Sequence, residues 1–321
     1  MIVMNVIFLK AALQEKIWGG QTLATQFGFD IPSEQTGEAW TISAHPNGQA
    51  IVESPHKVAG MTLGEFYQTH AAYFGPVHLE KFPLLTKILD ASDELSVQVH
   101  PDDAYGLANE GELGKTECWY ILSAEPGAKL QYGHNAQSLE EFVAWSENGE
   151  WDKLLRYVEV KAGEFYYVPS GTVHALGKGI VVLETQQNSD TTYRLYDYDR
   201  LDDQGQGREL HLKQSADVVT IPHVDPVLDI KVIHSPGGSI SHLITEGYFS
   251  VYKWDVTNDL KIDVRDNYYG VTVIEGSGEM KIGEEVYTLK KGQSFILSFD
   301  LAEVSFTGAL TMIASQPENN K

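Results

Sequence analysis

The chain has 321 residues, with 45 Asp and Glu against 23 Lys and Arg and a formal net charge of −22. A field of that sign repels polyanions, so it argues against nucleic-acid binding and against docking on an anionic membrane. The one cysteine, Cys118, leaves no internal disulfide and fits a reducing, cytoplasmic setting, with the small buried hydrophobe as its expected role.

The first predicted element is a strand over 2–9. Its run MIVMNVIFLK has no basic head and is interrupted by Lys10, which separates it from a signal peptide. No stretch approaches the ~20 apolar residues of a membrane helix. Short strands follow over 39–43, 50–53, 84–89, 95–99, 117–122, 156–160, 164–168 and 180–185, as β-branched and aromatic runs punctuated by Gly and Pro. Helical patterns interrupt them. Thr62-x-x-Glu65 and Ser138-x-x-Glu141 read as capping boxes, and 102–110, after Pro101, reads as a short helix. Helical insertions at 101–112 and 138–156 therefore flank a β core, and HVDPVLD at 223–229 reads as a linker. Beyond it, TLKKGQSFILS at 288–298 repeats the pattern of EVKAGEFYYVP at 159–169, with Gly292 in the place of Gly163. Continued alignment puts Tyr269 and Glu303 where the first copy has Glu117 and His174, so the second copy offers no imidazole at those positions.

Four donors in the first copy form a pattern. Gln98 and His100 stand at i and i+2, so both leave the same face of a strand. Glu117 heads the apolar run ECWYIL, and His174 starts a strand after the turn Pro169-Ser170-Gly171. Any one of the 11 histidines is more often structural than a ligand. Taken together, Gln98, His100, Glu117 and His174 offer two imidazoles and two oxygen donors, a set suited to zinc or another first-row divalent ion.

The spacing from Gly163 through Pro169 and Gly171 to His174 is the second signature of the cupin barrels. The first signature is matched in part, with Gln98 in place of its leading His and a longer stretch, DDAYGLANEGELGK, before Glu117. With KIWGG at 16–20, GEAWTISAHPNG at 37–48, FPLLTKILDA at 82–91 and ETQQNSDTTYRLYDYDR at 184–200, the chain resembles the type I mannose-6-phosphate isomerases in their short bacterial form, along almost its whole length. The resemblance implies a mainly β fold of two cupin, jelly-roll-like β-barrels with small helical insertions. It places a catalytic cupin domain over 1–235 and a degenerate cupin domain without metal over 236–321. It also implies one zinc per chain, with Co, Mn or Fe as alternatives, a small sugar phosphate as substrate and no obligate protein partner. The implied reaction interconverts mannose 6-phosphate and fructose 6-phosphate through an enediol, whose developing charge a divalent ion stabilises.

Roles for further residues follow from the same resemblance. Arg194, in the family's active-site segment, is expected to hold the phosphate or take part in catalysis, because a guanidinium forks onto anionic oxygens. Its alternative is an ion pair with Asp190, Asp197 or Asp199. Glu184 is expected as the base, with water activated by the ion or a lysine as alternatives. Lys115 shares a strand face with Glu117 and is assigned to catalysis and substrate binding, and Lys87, a charge inside an apolar strand, to substrate binding. Trp18 offers a ring face to a sugar or belongs to the core. Two rivals use the same residues. An iron-dependent dioxygenase is disfavoured by Gln98 as a fourth ligand and by Lys87, Lys115 and Arg194; a non-catalytic sugar-phosphate binder is disfavoured by the complete set of base and metal residues.

Overall fold

The computed structural model describes residues 4–76, 79–201 and 204–318. The strands Leu84–Ala91 and Ile180–Gln187 are buried at every position and pair antiparallel, from Ile180 opposite Ala91 to Gln187 opposite Leu84. Side chains alternate across a strand, so burial of every residue requires a layer on each face. These strands form the middle of a six-stranded sheet in the order Phe165–Val168, Glu117–Ala124, Ile180–Gln187, Leu84–Ala91, Thr36–Ile42 and Ala12–Gly20.

One face of that sheet meets a five-stranded sheet in the order Tyr193–Tyr196, Val97–Val99, His174–Leu176, Lys129–His134 and Leu155–Glu159. Between them, Trp18, Leu89, Trp119 and Ile121 pack against Leu130, Tyr132 and Leu176. The other face meets a ten-stranded sheet, where Ile42, Ile88 and Leu183 share a cluster with Ile7, Leu243, Val251 and Ile296. This third sheet is built mostly from 231–317, with the long strands Tyr269–Ile282 and Glu303–Pro317 at its centre. It also takes Val6–Lys10 and Ile51–Ser54 from the other end of the chain, the first pairing with Ser294–Leu297. It curls around a second core that includes Trp254, Phe295 and Phe306.

The strands do not close into the two expected barrels. Each sheet is an open path, and among the described residues the end strands of a path do not pair with each other. The fold is mainly β with small helical insertions, but in three stacked layers. The physical reason lies in the edges of the middle sheet: Phe165–Val168 and Ala12–Gly20 each pair on one side only, so the sheet stays open, and its central strands bury both faces against the two neighbouring layers. The helices Leu139–Glu147 and Leu212–Val218 lie over the five-stranded sheet, where Phe142 joins Val97, Val173 and Leu195.

Each predicted strand is present within a few residues of its expected bounds; the first runs Val6–Lys10, and residues 2 and 3 lie outside the described residues. Thr62 and Glu65 form the reciprocal capping box, and Asp102 caps the helix Asp103–Asn109. The Ser138 cap is only half of a box. Its side chain accepts from the Glu141 N–H, but the Glu141 carboxylate accepts from the Gln137 N–H instead of that of Ser138. No helix among the described residues is long and apolar enough to cross a membrane.

Ile7 is fully buried where the N-terminal strand joins the ten-stranded sheet opposite Ile296. Ile7→Ala should cost about 2–5 kcal/mol in chemical denaturation, the range for a truncated core aliphatic. A loss under ~1 kcal/mol would mean that this strand does not seal the core as described.

Candidate metal centre

His174 opens its strand directly opposite Gln98, and directly opposed antiparallel residues share a face. Gln98 Nε2 accordingly lies 3.4 Å from His174 Nε2. The turn that delivers His174 depends on Gly171, whose φ of +83° favours glycine and where an added Cβ would sit 2.4 Å from Thr220 Oγ1. The Gly171 N–H donates to the His100 carbonyl at 2.9 Å, which ties this turn to the neighbouring ligand segment. Glu117 arrives from the facing sheet as the first residue of Glu117–Ala124.

The donor atoms of His100, Glu117 and His174 lie within 4.8 Å of one another, and all three side chains are buried. His100 Nδ1 donates to the Thr191 carbonyl at 2.9 Å and His174 Nδ1 to the Thr172 carbonyl at 2.8 Å. The ring protons are thereby held on Nδ1, and both Nε2 lone pairs face the carboxylate. His174 Nε2 is 3.1 Å from Glu117 Oε1, and His100 Nε2 is 3.5 Å from Glu117 Oε2. Neither Glu117 oxygen nor His100 Nε2 has a hydrogen-bond partner among the described residues. Buried acceptors turned on one another without a proton between them are unfavourable unless a cation joins them. The set therefore fits a divalent ion held by two imidazole nitrogens and a carboxylate, with Gln98 beside them as a further donor.

A chain of alternating charges continues from this centre. Lys115 Nζ stands 3.4 Å from Glu117 Oε2. Burial works to lower the Lys115 ammonium, but Glu117 and then Glu184 outweigh it and hold it above the usual lysine range. Burial works to raise the Glu117 carboxyl, yet Lys115 and His174 keep it below the usual carboxylate range. Glu184 behaves in the opposite way: burial, then the charge of Glu117, pushes its carboxyl up. Its Oε2 accepts from Trp119 Nε1 at 2.8 Å and its Oε1 lies 3.5 Å from Lys87 Nζ. Lys87 lies over the Trp40 ring, 4.8 Å from its centroid.

Glu38 and Asp190 complete the network, and neither was among the residues expected to act in the site. Glu38 accepts from Trp40 Nε1 at 2.6 Å and lies 3.4 Å from Lys16; against the upward pull of burial, Lys87 and Lys16 hold its carboxyl low. Its signal was the Glu-x-Trp spacing in GEAW, which sets carboxylate and indole on one strand face. Asp190 accepts from Asn47 Nδ2 at 2.9 Å, and Lys87 lowers its carboxyl against burial.

Arg194 lies opposite Gln98 on the other side of the Val97–Val99 strand, hence on the same face as Gln98 and His174. Its Nη1 donates to the Glu209 carbonyl at 2.9 Å, while its buried Nε has no hydrogen-bond partner among the described residues. The ion pairs considered for it are not formed. Asp197 instead takes Arg200 at 2.5 Å and Arg208 at 2.6 Å. Trp18, 5% exposed, packs between the sheets with Leu89 and Trp119, the core position of its two expected roles.

Residues 6–121 match the family model for the phosphomannose isomerase type I catalytic domain, and residues 239–317 match that for the mannose-6-phosphate isomerase cupin domain. A mannose-6-phosphate isomerase of Streptococcus mutans is 50% identical, over 96% of this chain and 97% of its own length. The chain belongs to the type I phosphomannose isomerase family. A Bacillus subtilis relative named mannose-6-phosphate isomerase is 49% identical over 96% of this chain and 98% of that protein. The crystal structure of the Bacillus subtilis mannose 6-phosphate isomerase has a TM-score of 0.94 at 48% identity, covering 97% of this chain and 99% of that one. The cupin match of the family is thus carried here by strands that curl around a core without closing.

Metal analysis of the purified protein should return one tightly held divalent ion per chain, lost in His100→Ala or His174→Ala. Glu117→Gln, which removes the one anionic donor, should retain less metal than Gln98→Ala. Full metal content in Glu117→Gln would contradict this ligand set.

Proposed function

We propose that this chain interconverts mannose 6-phosphate and fructose 6-phosphate through an enediol, in the cytoplasm and with one zinc per chain. The observation that carries the reading is a single buried cluster holding an ion site, a carboxyl pushed up and two ammonium groups. His100, Glu117, His174 and Gln98 would hold a zinc or another first-row divalent ion, which would supply electrophilic stabilisation of the charge that develops in the reaction.

The other roles belong to side chains. Two carboxyls whose surroundings push their proton affinities apart can divide the work of ligand and proton carrier. Glu117, held low, stays an anion. Glu184, pushed up, takes the proton from carbon 2 of the aldose and returns it to carbon 1, while the hydroxyl proton passes from the oxygen on carbon 2 to the oxygen on carbon 1; the carbon-to-carbon transfer suits a carboxyl with raised proton affinity. Lys115, kept protonated, faces the oxygen that gains charge in the enediol. Arg194 and Lys87 bind the phosphate, with the unpartnered Arg194 Nε as a donor still to be used.

All of these groups fall within 1–235, which we assign as the catalytic domain. We assign 236–321 a packing role without metal. In that segment Glu303, the counterpart of His174, is exposed and lies 3.3 Å from Lys261.

A coupled assay should detect fructose 6-phosphate formed from mannose 6-phosphate, stop on chelation and resume on adding zinc. Arg194→Ala should lower kcat/KM about a hundredfold, the ~3 kcal/mol scale of a charge-assisted contact, with metal content intact. Turnover that persists in a fully stripped protein, or an unchanged kcat/KM in Arg194→Ala, would overturn the corresponding assignment.

A further inference from the structure

The stretch 102–115 between His100 and Glu117 is longer than the cupin pattern requires, and the proposed chemistry uses only Lys115 from it. One of its carboxylates holds the end of the strand Ile180–Gln187 and another the loop that follows it. Asp103 Oδ1 accepts from both the Gly114 N–H and Gln187 Nε2 at 2.9 Å. Glu112 does more. Its Oε2 accepts from Thr191 Oγ1 at 2.9 Å and from the Asp190 N–H at 3.2 Å, with Ser189 Oγ 3.4 Å away. Its Oε1 accepts from His45 Nε2 at 3.1 Å, because His45 Nδ1 is already an acceptor for the Asn47 N–H at 3.2 Å. One carboxylate thus gathers three donors from two loops, with Ser189 beside them, whose single hydroxyl proton has its shorter bond to the Leu113 carbonyl at 2.9 Å.

The consequence runs through Thr191. Its side chain is bound by Glu112, and its carbonyl accepts the His100 Nδ1 proton at 2.9 Å, the bond that aims His100 Nε2 at Glu117. We propose that Glu112 is a positioning residue for the metal centre, acting through Thr191 to fix the His100 ring. This rests on reading His100, Glu117 and His174 as an ion site. Glu112 touches none of the three, so its influence is on ring orientation. The role needs a carboxylate, since an amide would turn its own NH2 group toward His45 on one side or toward Thr191 and the Asp190 N–H on the other.

The test is zinc retention by the whole, zinc-loaded protein against a chromophoric chelator. Glu112→Ala and Glu112→Gln should each release zinc about tenfold more readily, the lower end of the effect of outer-shell partners on metal affinity. Thr191→Val, which keeps the backbone carbonyl, should shift retention in the same direction. The Glu112→Ala/Thr191→Val double variant should be no worse than Glu112→Ala alone, because the two share one contact. The melting midpoint should fall more with zinc bound than in the metal-free protein, because weaker ion binding removes stabilisation only from the loaded form. Parental zinc retention in the Glu112 variants, additive losses in the double variant, or equal falls in melting midpoint with and without zinc would each overturn the proposal. If Glu112→Ala does not fold, Glu112→Gln and Thr191→Val carry the measurement. A parent protein that binds no zinc would instead sink the ion-site reading itself.

Discussion

Keeping Glu117 ionised in a dry interior is the constraint on which the site depends. A buried carboxylate loses its hydration, and opposite charge close by is what offsets the loss. Here that charge comes from Lys115 at 3.4 Å and from an ion for which two imidazole lone pairs are already aligned. Lys115 would itself be strained toward neutrality by burial, and Glu117 and Glu184 prevent it. Opposite charges therefore alternate from the partly exposed Lys16 through Glu38, Lys87, Glu184 and Lys115 to Glu117. Within that series Glu184 is the least well compensated, and its carboxyl is the one that burial and Glu117 push up.

The layered fold makes such a network affordable. Lys87, Glu117 and Glu184 project from the middle sheet toward the five-stranded sheet, while alternate residues of the same sheet, such as Ile88 and Leu183, turn into the apolar cluster beneath. The six-stranded sheet thus has one face for chemistry and one for cohesion. Cohesion on the second face comes from the ten-stranded sheet, which the chain completes by returning Val6–Lys10 and Ile51–Ser54 to it. Val6–Lys10 is thereby fastened to Ser294–Leu297 on the side of the middle sheet away from the ion site.

Local chemistry was legible in the sequence to the extent that it is set by spacing. The Gly171 turn, the i, i+2 relation of Gln98 and His100, and the Thr62 capping box each depend on residues a few positions apart, and each forms as read. What was not legible depends on distant pairing. Closed barrels were expected because strand content and a repeated pattern say nothing of which edges meet; the layering is decided by burial on both faces of Leu84–Ala91 and Ile180–Gln187. The Ser138 box failed for a smaller reason of the same kind, a competing N–H at Gln137. Glu38 and Glu112 escaped notice because their partners, Lys87 for one and Thr191 for the other, lie far along the chain. The freedom of Arg194 was also undecidable, since the acidic run after it left open which carboxylates would be taken by Arg200 and Arg208.

X-ray absorption at the zinc edge of the loaded protein reads the donors of the ion directly. The arrangement described predicts two imidazole nitrogens together with oxygen donors, all at about 2.0–2.2 Å, and no sulfur. A sulfur shell, which would point to Cys118, or a shell of oxygen donors without imidazole would contradict a centre built on His100, Glu117 and His174.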